Sequence, residues 1–209
     1  MKEHPILFSG PMVRAILEGR KTQTRRVIKP QPSFNSLEPG SVKWKDRCFI
    51  EWSDKETPAA QLATFCPYGK PGDRLWVRET FAIVPRTAYV RSVGVQQILR
   101  PDDYHDAAIF RASFDRAIGK VWRPSIHMPR WASRITLEIT DIRVERLQDI
   151  SDPDAKAEGV MLPDRTCTMY HGIWRDEFQR LWDSINAKRG HGWNVNPWVW
   201  VIEFRRVTP

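Results

Sequence analysis

Near its C-terminus the chain runs Trp198-Val199-Trp200-Val201-Ile202-Glu203-Phe204. Side chains alternate along a strand, so this run is apolar on both faces. That pattern belongs to a strand inside a sheet with both faces covered, and it predicts a central strand. Other stretches supply neighbours. Ile135, Leu137 and Ile139 alternate, and then the phase slips at Thr140-Asp141, because Ile142 and Val144 continue on even numbers. A bulge or tight bend between two strands is expected there. In Arg74–Phe81, Leu75, Val77 and Glu79 share one face, and Arg74, Trp76, Arg78 and Thr80 the other. If Leu75 and Val77 face the interior, so does Glu79, and a carboxylate in phase with a core needs a partner.

The remaining chain is read around these strands. Pro5-Ile6-Leu7-Phe8 is a short first strand. Ser9 or Gly10 caps a helix with Pro11 in its first turn, and Gly19 closes it. Trp44, Cys48, Ile50 and Trp52 fall in one period-2 phase, which predicts a hairpin over Val42–Trp52. Ser151 caps a short helix through Glu158, closed by Gly159. Trp174, Phe178, Leu181, Trp182 and Ile185 follow helical spacing, an aromatic stripe expected to be core. His127, between two prolines, is expected to be packed rather than catalytic. The fold class is therefore α+β, a single domain over 1–209 with insertions at about 30–71 and 82–121.

Composition narrows the function. The chain has 33 cations and 25 anions, a net charge of +8, which favours polyanionic partners. The three cysteines (Cys48, Cys66, Cys167) lack C-x-x-C spacing, so neither a disulfide framework nor a zinc site is expected, and a reducing cytoplasm is the simplest compartment. No apolar run approaches the roughly 20 residues of a membrane span, and the N-terminus shows no apolar leader core. No metal or cofactor is expected. Charge concentrates early: residues 14–29 hold six cations (Arg14, Arg20, Lys21, Arg25, Arg26, Lys29) against Glu18 alone, with Thr22 and Thr24 among them. The run starts at a helix C-terminus, whose partial negative charge favours cations.

Gly19-x-Lys21-x-x-Thr24-x-Arg26 resembles the signature of the ASCH domain family, a branch of the PUA-like β-barrels. The usual family pattern is G-x-K-x-x-E-x-R, so Thr24 stands where many members carry Glu. In this the chain looks like the bacterial members that act as N4-acetylcytidine amidohydrolases. Gly72-Asp73-Arg74-Leu75-Trp76-Val77-Arg78-Glu79 is similar to the family's G-D-x-L-x-V-x-E strand. Residues from Trp131 to Val207 look like the longer ASCH proteins of phage and prophage genomes. The resemblance implies a PUA-like, mostly antiparallel β-barrel with a few flanking helices.

It also implies an amidohydrolase acting on an N-acylated nucleoside or base, with Lys21, Thr24 and Glu79 as catalytic residues converging in one pocket. Lys21 would activate Thr24, and Glu79 would orient or exchange the proton. An ordinary Lys is almost wholly charged at neutral pH. Neighbouring arginines and burial would lower its pKa and Glu79 would raise it, so Lys21 is either the base or the oxyanion's positive group, with Glu79 the base in the second case. For Lys21 and Thr24 to share a site, the backbone must turn between them, and residues 20–23 are expected to be irregular. The alternative is a non-catalytic module binding nucleoside or single-stranded nucleic acid, RNA rather than DNA, or a ribonuclease. Arg20, Arg25, Arg26, Arg78, Arg130 and Arg134 would then form a phosphate-contacting rim, with Trp76 or Trp131 stacking a base.

Overall fold

The computed structural model describes residues 1–34, 41–50, 57–103, 105–114, 122–162 and 172–207. Strand β1 (Glu3–Leu7) leads into helix α1 (Gly10–Leu17) and strand β2 (Gln23–Val27). Next come β3 (Ser33–Phe34), β4 (Ser41–Trp44), β5 (Arg47–Ile50) and helix α2 (Pro58–Ala63). Strands β6 (Arg74–Arg78), β7 (Phe81–Pro85), β8 (Ile98–Leu99) and β9 (Asp106–Phe110) follow. The chain ends with β10 (Thr136–Arg146), helices α3 (Asp152–Ala157) and α4 (Ile173–Asn186), and β11 (Trp198–Val207).

The main sheet has five strands in the order β1-β6-β10-β11-β2. β11 lies between β10 and β2, as its two apolar faces require. Trp200, Ile202 and Phe204 enter the principal core, while Val199 and Val201 enter a second one with Phe178, Trp182 and Trp193. The phase slip is a bulge: the register of β10 on β11 shifts between Ile139 and Asp141. It lies within one continuous strand rather than between two. The extra residue returns Ile142 and Val144 to the face that already carries Leu137 and Ile139.

The sheet is mostly antiparallel, as expected, with one exception: β1 runs parallel to β6. Among the described residues its backbone hydrogen bonds do not close the expected barrel, since β1 and β2 are both edges. They nevertheless approach: Nη2 of Arg26 on β2 donates to the Leu7 carbonyl of β1 at 2.6 Å, and its guanidinium lies 5.1 Å from the Phe8 ring centre. The sheet curls until its two edges face each other across a seam.

The stretches around 30–71 and 82–121 carry two small three-stranded sheets, β3-β4-β5 and β7-β9-β8. Trp44, Phe49, Leu62 and Cys66 belong to the principal core, and Trp44 meets Trp200 edge-on at 6.1 Å. The predicted hairpin is β4–β5, but its inward residue is Phe49, and Cys48 is exposed. The two-residue turn pairs Trp44 with Arg47 and Val42 with Phe49, which puts Phe49 on the buried face. Trp52 and Cys167 lie outside the described residues. His127, expected to be packed, is exposed beside buried Met128. Ile185, at the far end of the α4 stripe, is 40% exposed. No helix among the described residues is long and apolar enough to cross a membrane.

Candidate functional site

The site begins where α1 stops. Gly19 adopts φ +74°, the left-handed conformation that ends a helix at little cost when no Cβ is present. The amides of Arg20 and Lys21 then both bond the Ala15 carbonyl, at 2.9 and 3.1 Å. The chain stays irregular through Thr22, whose amide donates to the Ala157 carbonyl, and Gln23 opens β2. The predicted irregularity is present, one residue shorter than expected. Lys21 makes an isolated bridge to Glu158, while Thr24 lies within β2 opposite Ile202.

Glu158 is placed by α3. The Ser151 hydroxyl accepts the Asp154 amide at the start of this helix, Glu158 is its C-terminal cap residue, and Gly159 turns the chain away at φ +80°. Gly159 is the tightest point of the site. A Cβ there would come within 2.8 Å of the Lys21 Cβ and 2.9 Å of the Ala15 Cβ. Only glycine lets α3 approach so close, and this approach brings the Glu158 carboxylate to Lys21.

Lys21 Nζ donates to Glu158 Oε2 at 2.8 Å and to the Glu158 carbonyl at 2.7 Å. Arg25 Nη1 lies 3.3 Å from the other carboxylate oxygen, and its Nη2 reaches Glu145 at 3.1 Å and Asp154 at 3.4 Å. The Lys21 and Arg25 side chains are wholly enclosed, and that of Glu158 is 4% exposed. Burial pushes the Lys21 ammonium below its ordinary pKa, Glu158 opposes this, and Arg26 and Arg25 add to it. Buried ions in this arrangement hold one another, and removing one leaves the others uncompensated.

Above the ion cluster, along the seam, lies a cavity of about 420 Å³. Thr24, Arg26 and Glu158 line it, with Ser9 and Met12 on the α1 side. Phe178, Trp182, Arg189 and His191 bring α4 and the turn after it to the opposite wall. Pockets of this size hold small molecules, with aromatic walls for contact and a few polar groups for orientation.

Glu79 is elsewhere. It sits at the turn between β6 and β7, and both its oxygens are taken by Arg134, at 2.8 and 2.9 Å, with each side chain 2% exposed. Burial pushes the Glu79 carboxyl up while the Arg134 guanidinium draws it down. Arg134 also stacks on Phe110 at 4.1 Å. Glu79 therefore has the buried partner its phase demands, but that partner is not Lys21. The expected convergence of Lys21, Thr24 and Glu79 is corrected: the carboxylate beside Lys21 is Glu158.

The expected arginine rim is corrected at two positions. Arg25 and Arg134 are interior ion-pair partners and meet no solvent phosphate. Arg20 bonds Glu18 at 2.8 Å and the Gly159 carbonyl at 3.2 Å, and Arg130 bonds Glu3 at 2.8 and 3.1 Å. Arg78 donates to the Ile126 carbonyl and stacks on Trp76. Among the described residues no cluster of three His, Cys, Asp or Glu is placed to hold a metal ion. Comparison of the chain with models of known protein families, with characterised proteins and with solved structures gives no match.

Proposed function

We propose that the seam cavity is the substrate site of an amidohydrolase acting on an N-acylated nucleoside or base, and that the curled sheet is a PUA-like barrel of the ASCH kind. The observation that carries this reading is that Thr24 and Glu158 line one nucleoside-sized cavity, with Glu158 anchored from behind by two enclosed cations. The Lys21 and Thr24 positions of the Gly19–Arg26 motif support it.

In the proposed reaction Thr24 Oγ attacks the acyl carbon and its proton passes to Glu158. The C–N bond breaks as the departing nitrogen takes up that proton. Water then cleaves the threonyl ester, restoring the hydroxyl and releasing the carboxylic acid. Lys21, sealed behind the carboxylate, is a positioning residue. Arg26, which lines the cavity, offers positive charge to the oxyanion.

The test is incubation with a panel of N-acylated nucleosides followed by chromatography. Turnover is expected for the native chain, with retention in Thr24→Ser and loss in Thr24→Val. Glu158→Gln is expected to slow the reaction by about 10²–10⁴-fold, the usual contribution of a positioned proton acceptor. Turnover by Thr24→Val at the native rate would overturn the mechanism. Salt-sensitive binding of single-stranded RNA without any hydrolysis would replace the hydrolase with a binding module.

A further inference from the structure

A second cavity of about 420 Å³ adjoins the first, between the start of α1, the loop after α3 and the face of α4. The two share Ser9, Met12, Glu158 and Leu181, so they are two chambers meeting at a waist, and Glu158 stands at that waist. Their linings differ. The first chamber presents Arg26, Lys29 and Arg189. The second is walled by Pro11, Met12, Val160, Met161 and Leu181. Its charged lining residues are occupied: Arg20 pairs with Glu18, and Arg180 with Glu177. A charged group entering this chamber would find its opposite already neutralised, whereas an apolar one would find apolar walls.

We propose that the second chamber is a subsite for an apolar acyl chain larger than acetyl, with the scissile amide at the Glu158 waist. This rests on the hydrolase reading for the identity of the acyl group, but its geometry does not depend on turnover. An acetyl group carries one methyl and would leave most of the chamber to water. Each further methylene that enters exchanges water for Met12, Val160 or Leu181 and tightens binding by up to about fourfold. Met161 is 71% exposed, so the chamber is open at its outer end and admits chains of more than one length.

The experiment has two arms on the full chain. In the first, cytidines carrying N4-alkyl groups from methyl to hexyl, which have no amide to hydrolyse, are titrated by calorimetry. The dissociation constant is expected to fall about two- to fourfold per methylene. Met161→Glu, at an exposed position that does not endanger folding, is expected to flatten this series, and Met161→Trp to cut it short at the longer members. In the second arm, kcat/KM is compared for N4-acetyl-, butanoyl-, hexanoyl- and benzoylcytidine, and is expected to rise with apolar size. A flat alkyl series, or acetyl as the best substrate, overturns the subsite and leaves the hydrolase standing. An alkyl series that tightens while no acyl compound is hydrolysed keeps the subsite and overturns the hydrolase.

Discussion

Glu79 and Arg134 show what a buried charge demands of a single residue. Both sit inside the fold with their charges satisfied by two parallel hydrogen bonds. Arg134→Ala would leave a carboxylate stranded there, and losing one partner of a buried pair costs about 3–5 kcal/mol. We expect a fall of that size in the unfolding free energy by urea titration, and substantial recovery when Glu79→Met and Arg134→Met are combined. The phase of Leu75, Val77 and Glu79 made the burial of Glu79 legible in the sequence. Its partner was not legible, because Arg134 lies 55 residues away and nothing local marks it. Lys21 and Arg25 were harder still. Apolar periodicity reports which hydrophobic residues turn inward but is blind to a cation that does the same. The acids that receive these two, Glu145, Asp154 and Glu158, arrive from β10 and α3 only in three dimensions.

Among the elements, β1 is an edge strand held by more than its ladder. The Lys2 amide donates to Asp73 Oδ1 at 2.7 Å, and the Lys70 amide lies 3.3 Å from Oδ2, so one carboxylate ties the first residues to the turn before β6. These bonds, the Lys2 amide foremost, hold the Asp73 carboxyl below its ordinary range. A carboxyl that is more acidic folded than unfolded contributes stability above its unfolded pKa, and that contribution is lost as pH falls through the folded value. The native chain should therefore lose melting temperature on acidification below about pH 4, the ordinary Asp value, and Asp73→Asn should show a shallower loss in that window by circular dichroism. Element identity was largely legible: the bulge in β10, the Ser151 cap and the central β11 all follow from local pattern. The hairpin phase failed at Cys48 because a two-residue turn, with Lys45 at φ 54°, resets which positions face inward. The spacing of the α4 stripe predicts core, yet Phe178, Leu181, Trp182 and Ile185 also line the seam cavity. A stripe of apolar residues has the same spacing whether it faces packed side chains or a cleft.

At the scale of the molecule, the strands were legible and their order was not. The parallel β1–β6 pair joins segments about seventy residues apart in sequence, and no turn signal encodes such a pairing. The seam is closed by side chains, chiefly Arg26 reaching Leu7 and Phe8, rather than by a backbone ladder. Arg26→Met should consequently loosen the seam without unfolding the sheet. Hydrogen–deuterium exchange should quicken by about tenfold in residues 5–8 and 24–28 and stay unchanged in β10, since an opening made easier by ~1.4 kcal/mol exchanges ten times faster. Unchanged protection along both edges would show that the ladder alone holds them. The curl also bears on how copies of the chain meet. A sheet edge ordinarily offers a row of unpaired amides and carbonyls, a template on which another chain can add a strand and begin to aggregate. Here the two edges of the large sheet are turned toward each other, with Arg26 already seated on the Leu7 carbonyl. An incoming strand would have to displace that guanidinium before it could form a ladder, so the same bend that shapes the cavity guards the molecule against edge-to-edge self-association.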